Sequence, residues 1–363
     1  MFANEIYGGS RSNKLNEGGI LRIQNTNGEA IMTKPIIRTS GWLSPILSRF
    51  VFSVVLAFGF FVAVNTQAQT TNAYWDGDND GQPGGSGSLN PTVARFSTNG
   101  PSLGGTLVGP NTNYVLHFGG TSGTVTQSGN TTNSGMNWLV SGYTYSVGAN
   151  NNRQLIGFNN AALNITNNAN LTIIGTNSSL SLRSMNLTGG TGSTLTLSAN
   201  TGEALTIEFG SASTNSGRTN SVNTIINGAG TISLGTSGSS GFVQSGDITF
   251  NSTALLIFSN TASGNFTVSN TISGSGALSI SNSSSGLFSL MGANTYSGGT
   301  TINQINSSAI LAIYSSSPFG SGPITIAGAG TNYIRNYSNN IVITNAVVIS
   351  NGSVLRIATT NTG

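Results

Sequence analysis

From about Val125 onward the chain alternates apolar and polar residues in short pieces, among them Leu163-Asn164-Ile165, Leu171-Thr172-Ile173, Leu180-Ser181-Leu182, Leu195-Thr196-Leu197, Leu205-Thr206-Ile207 and Ile248-Thr249-Phe250. A period of two sets Leu and Ile on one face and Thr, Ser and Asn on the other. Gly, Asn and Ser bound each piece, so the pattern predicts short strands joined by turns. No stretch after residue 69 keeps an apolar stripe at the 3.6-residue period, and Lys, Glu and Gln are scarce, so no helix is expected there. Disorder is the competing reading of so much Ser, Thr, Asn and Gly. It calls for high net charge or abundant proline, and this chain has neither.

A longer period lies over the short one. Gly228-Ala229-Gly230-Thr231-Ile232-Ser233-Leu234, Gly274-Ser275-Gly276-Ala277-Leu278-Ser279-Ile280 and Gly320-Ser321-Gly322-Pro323-Ile324-Thr325-Ile326 share G-x-G-x-[IL]-[ST]-[IL], with their first glycines 46 residues apart in both steps. A degenerate copy opens at Gly190, 38 residues before Gly228. A unit of this size with several short strands cannot close a core of its own, so units must stack on neighbours. A propeller blade of about 40–45 residues and a solenoid spending the period on two coils of about 23 both fit the size. Copies whose spacing differs by eight residues suit the solenoid, where a loop bulges sideways without breaking ring closure. The expected fold is all-β, a right-handed parallel β-helix with Val, Ile and Leu stacked inside and Asn and Thr forming ladders. Roughly ten coils at about 4.8 Å each would rise near 50 Å.

Charge narrows the function classes. Only 6% of residues are Asp, Glu, Lys or Arg, against roughly a quarter in an ordinary domain. The formal net charge of +3 belongs wholly to residues 1–69, where six Lys and Arg face three Glu; beyond them six Arg balance six Asp and Glu. A neutral body lacks the basic stripe that neutralises phosphates, so no nucleic-acid partner is expected. With no cysteine and a single histidine, disulfide scaffolds, thiolate zinc sites and cysteine nucleophiles are excluded.

Phe50 to Val64 is an uncharged, almost wholly apolar run preceded by Lys34, Arg38 and Arg49 and followed by polar residues. It is shorter than the roughly 20 residues of a membrane-spanning helix and matches a secretory signal, with cleavage expected after Ala68. The mixed-charge stretch before Met32 does not resemble a cationic signal start, whereas Met32-Thr33-Lys34 does. The expected organisation is a leader extension or mis-assigned start at 1–31, a signal peptide at 32–68, an N-terminal cap at 69–125 and a solenoid at 126–363, whose best repeat is 286–328. The protein is then secreted or displayed at the cell surface.

Leu290 to Ile326 carries the sharpest motif. Gly292, Asn294, Tyr296, Gly298, Gly299, Thr300, Thr301 and Ile302 fit G-x-N-x-Y-x-G-G-T-x-[IV], and Phe319, Gly320 and Gly322 fit a following A-[LF]-G-x-G, with Pro318 in place of Ala. This segment resembles the autotransporter-associated β-strand repeat, also called the passenger-associated transport repeat, and Tyr74-Trp75-Asp76-Gly77-Asp78 resembles the segment that opens such passengers. The explicit resemblance covers about a sixth of the chain. It implies a surface-displayed β-helical passenger, ordinarily followed by an outer-membrane translocator barrel. No barrel strands follow here, so the chain is expected to be a fragment truncated at its C-terminal side. Independently of the family, Gly298-Gly299 reads as a tight turn, Thr300-Thr301-Ile302 as a strand restart, and Tyr296 as a ring packed over the turn with its hydroxyl in water. All of these read as fold determinants.

Candidate chemistry is sparse. Asp76-Gly77-Asp78-Asn79-Asp80-Gly81 has the D-x-D-x-D-G opening of a calcium loop, with Gly81 at the sixth position, but the twelfth is Gly87 and not a bidentate Glu. Two readings stand, a solvated turn and a structural calcium site on Asp76, Asp78 and Asp80; no other cofactor is expected. His117 sits alone in an apolar strand and no G-x-S-x-G elbow exists, which argues against a hydrolase triad. The enzymatic alternative is a β-helical polysaccharide lyase or glycoside hydrolase, whose paired carboxylates would come from Glu203 and Glu208. Five apart on one alternating strand, these point to opposite faces. The expected function is non-catalytic, a structural or adhesive rod. Its hydroxyls and amides, with Trp75, Trp138, Tyr143, Tyr145, Tyr333 and Tyr337 as stacking faces, would meet cell-surface glycans or neighbouring surface proteins.

Overall fold

The computed structural model describes residues 70–359, apart from short stretches at 100–106, 159–160, 211–216, 238–240, 262 and 339–340, together with two strands, Ile23–Gln24 and Ala30–Ile31. The chain divides into Met1–Gln67 and Ala68–Gly363. In the first unit the two short strands pair antiparallel. The apolar run Phe50 to Val64 and the cleavage site after Ala68 lie outside the described residues. Among the described residues no helix is long and apolar enough to cross a membrane.

The second unit is a parallel β-solenoid of about ten coils, all-β as the alternation predicts. Successive strands visit three sheets in rotation. Thr231–Ser237, Phe242–Gln244 and Ile248–Phe250 stand one on each face, and the chain returns to the first face with Leu255–Asn260. The register carries Ile232 onto Leu256, Leu278, Thr300 and Ile324 in turn, in steps of 24, 22, 22 and 24 residues. The 46-residue repeat is therefore two coils. Earlier coils are longer, with Ser178 opposite Leu205 and Ala204 opposite Thr231, 27 residues apart in each case, and the extra length passes through the turns.

Alternation decides what goes inside. In Leu255–Asn260 residues 256, 258 and 260 are buried while 255, 257 and 259 are half-buried, and neighbouring coils repeat the scheme. The inward positions form columns. Phe242, Phe266 and Phe288 are in register, with ring centroids 4.9 and 4.8 Å apart, and Phe209 adds a stacked ring 4.2 Å from Phe242. Each such ring is shielded by coils on both sides, so it loses nearly all its apolar surface to the interior.

Polar residues form columns as well. Thr236, Asn260, Asn282 and Gln304 are all buried at successive coils of one column. Thr236 Oγ1 donates to Asn260 Oδ1 at 2.9 Å, and Asn282 Nδ2 donates to the Gly286 carbonyl at 2.9 Å. The Asn260 and Asn282 amides thus meet backbone carbonyls where the strand turns a corner, which offsets their burial, while Gln304 accepts from Tyr333 N–H through Oε1 and keeps Nε2 without a partner. An outward ladder joins Asn137, Asn164 and Thr188, each link 3.2 Å.

The two ends differ. Parallel pairing reaches back into the stretch 69–125, where Thr71–Trp75 lies on Tyr114–Phe118. Antiparallel strands Phe96–Ser97 and Leu107–Val108 extend that edge, and the rings of Trp75, Phe96, Phe118, Trp138 and Tyr143 fill the coil beneath. At the other end Val347, Ile349 and Ile357 occupy inward register positions yet are 45%, 51% and 59% exposed, whereas their partners Ile324, Ile326 and Ile334 are at most 2% exposed.

Candidate functional site

Two places gather the sequence-singled residues. The first is the segment 291–299. Strands occupy the sheet of Ile248–Phe250 from Gly87–Leu89 to Ile272–Gly274 and then stop, and the motif residues take over that face as an irregular stretch. Stacking continues without a strand. Thr295 and Ser297 donate their N–H groups to the carbonyls of Ile272 and Gly274 at 2.8 and 3.0 Å. Asn294 replaces the missing ladder with its side chain: its Oδ1 accepts from Ile272 N–H at 2.8 Å and its Nδ2 donates to the Pro318 carbonyl at 2.7 Å. One buried amide thus joins three successive coils.

Tyr296 closes the corner. Its ring is fully buried, 6.4 Å from that of Phe250, and its hydroxyl lies 2.5 Å from Thr300 Oγ1, which in turn donates to the Phe319 carbonyl at 3.2 Å. This corrects the expectation of a hydroxyl in water. Burial raises the phenol pKa well above its ordinary value, opposed by the bond to Thr300, so the group stays protonated. The glycines fix the approach of the coils. Gly228, Gly274 and Gly320, the first glycines of the three repeats, all have left-handed φ, at 78°, 98° and 62°. A methyl at these positions would overlap the carbonyl oxygens of Ala199, Phe250 and Tyr296 respectively. Gly292 and Gly298 press on the backbones of Asn270 and Gly276, Gly322 on Gly299 and Ser297, and Gly299 turns with φ 89°.

The second place is the loop after Trp75. Trp75 is anchored by donating Nε1–H to the Gly85 carbonyl at 3.1 Å, and Gly77 N–H donates to the Gly84 carbonyl at 2.7 Å, folding 76–85 into a tight excursion. A carboxylate oxygen from each of Asp76, Asp78 and Asp80 lies within 4.8 Å of those of the other two. Asp78 and Asp80 are exposed, and Asp80 Oδ1 accepts from Gln82 N–H at 2.8 Å. Asp76 is only 3% exposed and its Oδ1 is buried without a hydrogen-bond partner. Asn79 and Gly81 supply the left-handed turns, φ 61° and 84°. Tyr143 stands nearby with its hydroxyl on the carbonyls of Gly119 and Thr121 at 2.8 and 3.1 Å; burial and then the charge of Asp78 raise its pKa.

Other expectations resolve differently. Trp75, Trp138, Tyr143 and Tyr145, expected as stacking faces for sugars, are at most 1% exposed and belong to the core; Tyr333 and Tyr337 are half-buried. Alternation in this part of the chain begins only at Ala204, so Glu203 sits in the preceding turn, accepting from Asn200 N–H at 3.2 Å, while Glu208 faces outward from the strand Ala204–Gly210. The two carboxylates are therefore not opposite faces of one strand. His117 is half-buried, stacked on Tyr74 at 4.9 Å with Nε2 3.0 Å from Asn72 Oδ1, and desolvation lowers its pKa. Sequence reading passed over Arg218, which is 1% exposed at an inward position in register with Phe242; desolvation lowers its pKa too. Comparison with family models, with curated proteins and with solved structures returned no match to this chain.

Proposed function

We propose that the chain is a secreted, surface-displayed passenger of the autotransporter type, acting as a non-catalytic structural or adhesive rod. The observation that carries this reading is that the G-x-N-x-Y-x-G-G-T residues are spent on joining coils: Asn294 links three of them and Tyr296 seals the corner through Thr300. A motif used in this way lengthens a solenoid and leaves the lateral surface free. That surface is sparsely charged and rich in amides and hydroxyls, as in the Asn137, Asn164 and Thr188 ladder, which adjoins a shallow groove lined by Thr166, Asn167 and Gly190. Such groups suit the hydroxyls of glycans, which they can meet as both donors and acceptors.

Protease shaving of intact cells of the native organism tests display. Peptides from residues 70–359 should be released without lysis, and recovery of the chain only from lysed cells would overturn the reading. Adhesion is separated from a purely structural role by a glycan array, on which Asn164→Ala should weaken any captured sugar while leaving the fold intact.

A further inference from the structure

We propose that Asp76, Asp78 and Asp80 form a binding site for a hard divalent cation of the calcium class at the first coil of the solenoid. A cluster of exposed carboxylates alone would be an ordinary solvated turn. The buried member changes this, because Asp76 is 3% exposed and keeps Oδ1 out of solvent with no donor to meet it. A carboxylate oxygen withdrawn from water without a donor is costly, and the fold retains one where two further carboxylates come within 4.8 Å. Arg95 meets Asp76 through the backbone, Asp76 N–H donating to the Arg95 carbonyl at 2.8 Å.

The donor set selects the ion. All three side chains offer oxygen and none offers nitrogen or sulfur, which suits calcium, magnesium or manganese over zinc or copper. Three carboxylates leave several coordination positions to water, so affinity belongs in the weak extracellular range, Kd about 0.1–1 mM. The site's place gives it a consequence. Asp76 follows Trp75 directly, and the loop returns through Gly84 and Gly85 to the backbone of Trp75 and Thr121, so a bound cation would tie the first coil to the second.

Terbium is the probe, added to the full chain after treatment with EGTA. Trp75 adjoins the triad and should sensitise terbium emission, which calcium should displace with a midpoint of about 0.1–1 mM. Asp76→Asn and Asp80→Asn should each cut the emission at least tenfold. Thermal melts supply a second readout with an opposite sign. Saturating calcium should raise the midpoint of the native chain by roughly 2–4 °C. In EGTA, Asp76→Asn should melt no lower than the native chain, because it removes charge from a buried oxygen that has no donor, and it should show no rise with calcium. Absence of sensitised emission, emission indifferent to both substitutions, or an Asp76→Asn variant destabilised equally with and without calcium would each overturn the proposal.

Discussion

The hydroxyl of Tyr296 donates to Thr300 Oγ1, and the same Thr300 hydroxyl donates onward to the carbonyl of Phe319, so a single relay crosses a corner that has no strand. The two residues are not equivalent within it. Tyr296→Phe removes only the first donor and leaves Thr300 on its carbonyl, which should cost about 1 kcal/mol. Thr300→Val strands both the phenol and the Phe319 carbonyl in a buried site and should cost about 2–3 kcal/mol. Urea titrations of the two variants should therefore rank Thr300→Val below Tyr296→Phe.

Left-handed glycines separate strain from crowding. Gly320 and Gly330 both have left-handed φ, 62° and 95°, but a methyl on Gly330 meets open space while one on Gly320 would strike the Tyr296 carbonyl. Gly330→Ala should lose only the conformational term, about 1–2 kcal/mol. Gly320→Ala must also push two coils apart, and it should lose clearly more, by about 2 kcal/mol or beyond, in the same denaturation assay.

What the sequence disclosed and what it hid follow from one geometric fact. Period-two alternation reports which side of a strand faces inward, so Ile232, Leu278 and Ile324 were legible as core, and the 46-residue spacing was legible as two coils. Inside a turn alternation carries no such information. Glu203 lies one residue before its strand and so escaped the facing rule applied to it, and Tyr296, in a segment without a strand, gave no sign that its hydroxyl would be covered by the next coil. Arg218 was hidden for a related reason: Arg218-Thr219-Asn220 contains no apolar residue, and only its register with Phe242 shows that its first and third positions point inward. The aspartates were legible as a cluster from their spacing, whereas nothing in that spacing announced the burial of Asp76, which follows the strand Thr71–Trp75 directly and bonds the Arg95 carbonyl through its N–H.

His117 gives the first coils a pH dependence of defined sign. Its pKa is lowered in the fold, chiefly by desolvation, beside the ring of Tyr74 and the amide of Asn72. The unfolded chain therefore binds the proton more readily, and stability rises with pH across the window between the lowered value and the ordinary value of 6.5. The contribution is fully present above that ordinary value and is lost as pH falls below it. Comparing urea midpoints at neutral and mildly acidic pH should show a loss in the native chain that His117→Gln reduces.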